Sequence, residues 1–549
     1  MNEENTYNLI DEPWIPVLMQ DGTNRSVSLG EVFADAEGQI ADLALNPYER
    51  VAVFRLLLCI AQAALGPERL KDERAWRTAK DAVGTVSSEY LKKWHHRFFL
   101  YGPHAFLQPD CVETVKDKRG NQKLFNSNVN KMCPSRASGE NSTLFDHAAT
   151  DTCRDMCNLD RIINFLVFQS FSAGGRFSQC KWDGELSPSN NKEGKANSAW
   201  SSPGRESDML FSILIGATLI ESIWLNLLTF NMLQSARIEL GMPIWEHDNL
   251  SRQNLKEAPW TYLGHLVPLS RIIKLSPNNI GMILGEGIVY PTLNPDDDKK
   301  KTIKRPFGWR EPMATVKANG DNPPSYVSSD KSRMPWRELV SLLNIHGPIS
   351  VSSAMALRHR DSLPDDKEFV LWIGGLCTNQ AKDVDTVEWR SRLSTDLLAE
   401  PKQKRYQDAI SYADRQCLAL YFACKSFALT VKTPDATKSI KKSKEKELVD
   451  PVFKPAEQIY WDILAQPTNQ RLVQNVGSDT YMDDWKKATR KAAKEAYRRA
   501  CPAVTARQME AYAQGFAKLW VPDGEKDKAS GGTDSEQDEG GDHVRRKER

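Results

Sequence analysis

No CxxC pair occurs anywhere in the chain, although it carries ten cysteines. Zinc ribbons and thioredoxin-like redox centres need that spacing, so neither is expected. Cys153 and Cys157 are four apart and could share a helix face, but no Cys/His pair lies nearby in sequence to complete a metal site. Cysteines so scattered read as small buried residues of a reducing compartment. The GxxxxGK[ST] phosphate loop, the HExxH helix, the GxSxG elbow and the EF-hand loop are missing as well. Their absence removes the commonest signatures of nucleotide, metalloprotease, ester and calcium chemistry, and no cofactor is implied. An excess of either charge is also lacking: Lys+Arg is 73 against Asp+Glu 72. A protein that coats DNA by bulk attraction is therefore excluded, and any phosphate contact must come from local patches. The opening Met1-Asn2-Glu3-Glu4-Asn5 has neither a basic nor an apolar region, so no secretory signal is read there.

One apolar run, residues 209–230, has the length of a membrane span. Glu221 and Asn226 would then lie in hydrocarbon at high cost, and Gly216 divides the run into a β-branched part and a Leu/Ile/Trp part. The run reads as a buried strand followed by a core helix, in a cytoplasmic protein with no membrane partner.

What is present is a globular composition, 26% charged and 9% aromatic over 549 residues, sufficient for two or three domains. Residues 14–19 and 25–29 flank the turn Gln20-Asp21-Gly22 as a hairpin. Asn46-Pro47-Tyr48-Glu49 has the residue types of a helix start, and residues 51–65 follow as an apolar core helix. A second helix is expected over 87–99 and a third over 155–171, the latter broken by Ser172-Ala173-Gly174-Gly175. Residues 112–151 and 183–207 are polar stretches without periodicity. Short strands are expected at Val289-Tyr290, 349–351 and 368–373, the last running into a Gly374-Gly375 turn. Helical patterning then takes over, at 385–399, 403–430, 455–465, 481–500 and 504–519, with a basic loop at 438–446. The fold class is α+β: a large mixed N-terminal domain over 1–384, a C-terminal antiparallel four-helix bundle over 385–522, and a disordered tail over 523–549.

The acids do not assemble into a site. Asp296, Asp297 and Asp298 alternate in direction on extended chain and precede neutralising lysines; Asp383 and Asp385 read the same way. His247-Asp248 lacks the further ligands of a phosphohydrolase. Along 481–500, Lys487, Arg490, Lys491, Lys494 and Arg498 share one face beside an Ala488/Ala492/Ala496 face. Five cations so placed form either a phosphate-backbone footprint or an ordinary solvated face.

Several of these pieces follow an order that resembles the CasA family, the large subunit of the type I-E CRISPR Cascade complex. The likeness rests on the opening Asn8-Leu9-Ile10-Asp11-Glu12-Pro13-Trp14, on the loop running from Ser138-Gly139-Glu140-Asn141 to Leu144-Phe145-Asp146-His147, on the Gly-Gly step into Asn379-Gln380-Ala381, and on the terminal helices. It spans residues 8–520. What the resemblance implies is a non-catalytic subunit that reads the protospacer-adjacent motif (PAM) from the minor groove. Guide RNA supplies sequence discrimination, and this subunit helps open double-stranded target DNA for R-loop formation. By resemblance, a glycine loop is matched by Ala173, Gly174 and Gly175, a minor-groove lysine by Lys300 or Lys304 upstream of Trp309, and a wedge by Asn379, Gln380 and Ala381. Gly139, Asn141, Phe145 and His147 would meet the CRISPR guide RNA and neighbouring subunits. The cationic stripe would follow the DNA backbone. The implied partners are the backbone, small and RNA-end-binding Cascade subunits and a helicase-nuclease recruited in trans. A metal-dependent nuclease built on the acids, or a purely structural scaffold, are the alternatives.

Overall fold

A computed structural model of the chain describes residues 7–116, 119–134, 156–277, 280–293, 309–330, 333–363, 367–379, 382–432 and 442–519. The fold is α+β, and its residues group into two compact units, Met1–Tyr406 and Gln407–Arg549.

The first unit is built on the helix Pro47–Arg69. Pro47 brings a preset φ to the first turn, and the Glu49 carboxylate accepts the Asn46 backbone N–H at 3.2 Å. Residues 51–61 are all buried, the mark of a helix enclosed on every side. Among the described residues it is the one helix long and apolar enough to cross a membrane, and 72% of that apolar window is buried within the fold. Its central charge, Arg55, is fully committed. Nη1 meets Glu311 Oε2 at 2.8 Å, Nε donates to Leu266 O at 2.8 Å and Nη2 to His265 O at 2.6 Å. Deleting either side of such a buried pair costs about 3–5 kcal/mol, because the other charge is stranded.

The N-terminal hairpin is present, Ile15–Met19 with Asn24–Val27, and Ile40–Leu43 completes an antiparallel sheet of order Asn24–Val27, Ile15–Met19, Ile40–Leu43. The run 209–230 resolves as expected into the buried strand Phe211–Ile215 and the helix Leu219–Asn226. The residues that argued against a membrane are both satisfied. Asn226 exchanges hydrogen bonds with the Leu214 backbone at 3.1 and 2.7 Å, and Glu221 pairs with Lys80 at 2.8 Å.

That strand pairs with Glu368–Asn379, which pairs in turn with Lys382–Ser394, so the long hairpin carries the central strand of its sheet. Here the structure corrects the sequence reading. Residues 385–394 are strand rather than helix, followed by the 3-10 turn Thr395–Leu398. A twelve-residue partner strand offers a full ladder, and Val387 and Leu393 are buried on one face at period two. Local helical periodicity loses to that pairing. Ile349–Val351 is likewise a 3-10 turn, Val289 and Tyr290 lie outside any strand, and the helix Val83–Trp94 gives way to a 3-10 turn at His95–Arg97. The hairpin is tied to the core through Asp42. Its carboxylate binds Arg50 of the core helix and Arg390 of the hairpin, both at 2.7 Å.

In the second unit Lys442–Leu464, Pro467–Ser478, Met482–Ala500 and Ala506–Phe516 follow the long helix Glu400–Lys432. Tyr460 OH donates to Ala413 O at 2.9 Å while Tyr421 and Phe453 rings meet at 5.1 Å, so the first two run antiparallel. Trp485 Nε1 donates to Ala409 O at 2.7 Å and Arg490 lies over the Tyr412 ring at 5.9 Å, so Met482–Ala500 runs parallel to the first. Gln416 donates to Leu519 O at 3.0 Å and Thr430 to Gln514 at 3.1 Å, reversing the last helix again. These four helices thus alternate in direction. Pro467–Ser478 is an additional helix that the sequence reading missed, and the expected basic loop at 438–446 is helical from Lys442.

Candidate nucleic-acid interface

The glycine loop begins where the helix Asn158–Phe171 ends, with the Ser172 N–H still donating to Phe168 O at 3.2 Å. Two features of the next residues demand glycine. A Cβ on Gly174 would stand 2.7 Å from Ala199 O and 2.8 Å from Ser201 N, and Gly175 has φ +118°. Both then pair with the segment 199–202, which lies in the polar stretch the sequence left unplaced. Gly175 and Ala199 exchange N–H···O bonds at 2.9 and 2.7 Å, and the Gly174 N–H donates to Ser201 Oγ at 3.1 Å. Hydroxyls of Ser172, Ser202 and Ser270 form a buried chain with 2.8 Å links.

The long hairpin reaches the same stretch further along, at Asp208. Its strand Glu368–Asn379 is anchored one residue before its end, where Thr378 donates through N at 3.3 Å and through Oγ1 at 2.7 Å to the Asp208 carboxylate. Asn379 closes the strand opposite Lys382. Gln380 and Ala381, the rest of the expected wedge, lie outside the described residues. Gly374 and Gly375 are strand residues and make no turn, which corrects the sequence reading. A Cβ on Gly374 would come 2.4 Å from the Trp372 indole, which passes over it to donate Nε1 to Glu388 at 2.6 Å; one on Gly375 would stand 2.9 Å from Met209 O. These glycines make room for close packing rather than reversing the chain.

Lys300 and Lys304 also lie outside the described residues, as do Asp296, Asp297 and Asp298. Their nearest described neighbour upstream is Leu293, whose N–H donates to Glu206 Oε1 at 2.8 Å. Downstream, Trp309 is buried and stacks on His265 at 4.4 Å. The glycine loop, the approach to the lysine segment and the hairpin end therefore all bond to residues 199–208. No expectation placed them there. Asp208 and Glu206 carried no motif, and the bonds to Ala199 use backbone atoms that a side-chain pattern does not encode.

The electrostatics of this corner are those of buried cations. Arg271 is 1% exposed, and burial lowers its pKa to about 10, so the guanidinium stays charged at neutral pH. Burial likewise pulls Lys131 down from its ordinary value. Both cations face the Phe177 ring, at 4.7 Å for Arg271 Cζ and 5.8 Å for Lys131 Nζ. Burial pushes the Glu286 carboxyl up, against the opposing pull of the Trp200 N–H and Arg271. Arg176, directly after Gly175, is exposed. Gly139, Asn141, Phe145 and His147 lie outside the described residues.

Among the described residues there is no group of three or more His, Cys, Asp or Glu able to hold a metal. The carbonyls of His247 and Asp248 accept from Arg97 at 3.1 and 2.9 Å, and burial holds the His247 imidazole below its ordinary pKa. Asp385 sits in the hairpin and accepts the Thr386 N–H at 2.7 Å. Cys157 is exposed, and Cys153 lies outside the described residues.

In the second unit the helix Met482–Ala500 buries Trp485, Thr489, Ala492, Ala493, Ala496 and Tyr497 and turns its cations outward. They are not equivalent. Lys487 pairs with Asp484 at 3.1 Å and Arg498 with Glu495 at 2.6 Å, while Arg490 is half-buried over Tyr412. Lys491 and Lys494 are exposed, without such an ion pair.

The sequence matches the family described as CRISPR-associated protein Cse1 over residues 8–496. A CRISPR-associated protein CasA/Cse1 of Thermus thermophilus is 26% identical over 525 residues, covering 93% of this chain and 95% of that protein. Among solved structures, a Thermus thermophilus CasA superposes with a TM-score of 0.70 at 23% identity, covering 93% of this chain and 98% of that one. Thermobifida fusca Cse1 gives 0.70 at 18% identity, covering 94% and 98%. A chain of a CRISPR RNA-guided surveillance complex gives 0.65 at 15% identity, covering 93% and 99%.

Proposed function

The chain belongs to the CRISPR-associated Cse1 family, and from that premise we propose that it is the non-catalytic large subunit of an RNA-guided surveillance complex that tests the duplex beside the target. The observation that carries the reading is the shared anchorage of three separate elements on residues 199–208. A groove reader needs its probing parts held in fixed register, because a shift of an ångström exchanges one set of base-edge contacts for another.

The minor groove offers acceptors at A·T pairs and one added amino donor at G·C pairs. Backbone groups of a glycine loop, a lysine and an amide wedge read that pattern coarsely, so several flanking motifs are tolerated. Ala173, Gly174 and Gly175 would approach the groove floor, Lys300 or Lys304 would enter it, and Asn379, Gln380 and Ala381 would unstack the first pair. Unstacking costs on the order of a few kcal/mol, offset by the RNA–DNA heteroduplex that replaces it. The 138–151 segment with Phe145 would meet guide RNA and neighbouring subunits. The cationic helix would follow the displaced strand, and a separate helicase-nuclease would cut.

The test is the double variant Asn379→Ala, Gln380→Ala in the assembled complex. Binding to duplex targets should weaken by about tenfold or more, because the side chains that hold the first pair open are removed. Single-stranded targets of the same sequence need no opening and should bind as before. Equal loss on both substrates, or loss on neither, removes the wedge.

A further inference from the structure

We infer that Arg271 is a positioning residue for flank reading: its guanidinium fixes how far the Ala173–Gly175 backbone projects. The inference rests on the groove-reading role proposed above. Arg271 and Glu286 are directly opposite each other at the end of the antiparallel pair Arg271–Leu275 and Gly281–Glu286. Between them they hold Trp200 of the 199–208 segment by its backbone. Glu286 Oε1 accepts the Trp200 N–H at 2.8 Å, and Arg271 Nη2 donates to Trp200 O at 2.7 Å.

The same Nη2 donates to Ala173 O at 3.1 Å, on the glycine loop itself, and lies 3.4 Å from Ser172 O. Nη1 donates to Ser270 O at 2.8 Å, and the guanidinium carbon lies 4.7 Å from the centre of the Phe177 ring. One planar cation thus joins the loop to the segment whose flanking residues, Ala199 and Ser201, bond Gly175 and Gly174. Nη1 and Nη2 both donate to carbonyl oxygens, so what the guanidinium fixes is the path of two backbones. Lysine cannot replace it: an ammonium is a compact charge on a flexible stem without the rigid fork. Ala173, Gly174 and Gly175 carry no side chain long enough to fix the depth of the loop by packing.

The experiment uses the assembled complex carrying Arg271→Lys. Binding is measured to duplexes with a permissive flank, to duplexes with each altered flank, and to a single-stranded target of the same sequence. The ratio of permissive to altered binding should fall by about tenfold, the scale of removing one charged hydrogen bond. Binding to the single-stranded target should not change, which a merely weakened fold would not allow. Should the Lys variant fail to assemble, Ser201→Ala removes only the acceptor for the Gly174 N–H and should lower the same ratio, by less. An unchanged ratio in the variants that assemble, while the Asn379/Gln380 double variant still weakens duplex binding, overturns the role of Arg271. Loss of both effects removes the groove-reading role, and the inference with it.

Discussion

His265 lies in the core of the first unit with neither ring nitrogen hydrogen-bonded. Its ring stacks on Trp309 at 4.4 Å and meets Tyr290 edge-on at 5.2 Å. The Glu311 carboxylate comes within 3.7 Å of Nδ1, but it is already bonded to Arg55. Burial first, and the Arg55 charge second, hold the imidazole well below its ordinary pKa. The folded state therefore keeps His265 neutral at pH values where the unfolded chain binds a proton. Stability should be complete above about pH 6.5 and fall below it, by at most about 1.4 kcal/mol per pH unit for this one group. Glu246 and Glu286, raised by burial, act in the opposite sense at lower pH. Thermal midpoints from about pH 7.5 to about 5.5 for the wild type and His265→Phe isolate the contribution. The Phe variant should lose less stability on acidification, and parallel curves would assign the loss elsewhere. None of this was visible in Tyr262-Leu263-Gly264-His265, because a lone histidine in an apolar stretch acquires its chemistry from distant neighbours.

Elements were legible where periodicity and tertiary demand agree, as in the core helix with its Asn46-Pro47-Tyr48-Glu49 start and in the strand–helix reading of 209–230. They were misread where the two conflict. Residues 385–394 have residues compatible with a helix face, yet they pair along the strand Glu368–Asn379. Gly374 and Gly375 suggested a turn because glycine supports turns, while the structure uses their missing Cβ beneath Trp372 and against Met209. The cationic helix was legible as a stripe but not in its inequality, which depends on acids three residues away and on Tyr412 of another helix. That inequality makes a prediction. Lys491→Glu with Lys494→Glu should reduce the slope of log affinity against log salt by about 0.9 for each phosphate the helix no longer neutralises. Lys487→Glu, whose cation is already shared with Asp484, should change it less. Exposed positions leave the melting midpoint nearly unmoved, so an unaltered slope in a folded double variant means the stripe is a solvated face.

At the scale of the whole molecule, the balance of 73 basic and 72 acidic residues restricts what the chain does alone. Three of its cations are buried and committed internally: Arg50 to Asp42, Arg55 to Glu311 and Arg271 to backbone carbonyls. Such groups stabilise the fold and release no counterions on meeting DNA. In the role proposed above, the glycine loop and the Asn379-Gln380-Ala381 wedge would bring no charge to the groove, and a single lysine would. Affinity of an isolated subunit is then expected in the range of non-specific binders, roughly 10⁻⁴–10⁻⁶ M at physiological salt. In the assembled complex proposed above, base pairing between guide and target would supply the sequence discrimination, and this chain would decide which duplexes are opened. The matching measurement titrates the isolated chain and the assembled complex against one duplex target across a salt series. The isolated chain should bind weakly, with little preference between permissive and altered flanks, and the complex tightly and selectively. Tight, flank-selective binding by the isolated chain would mean that its own contacts suffice, and the division of labour with the guide would fall.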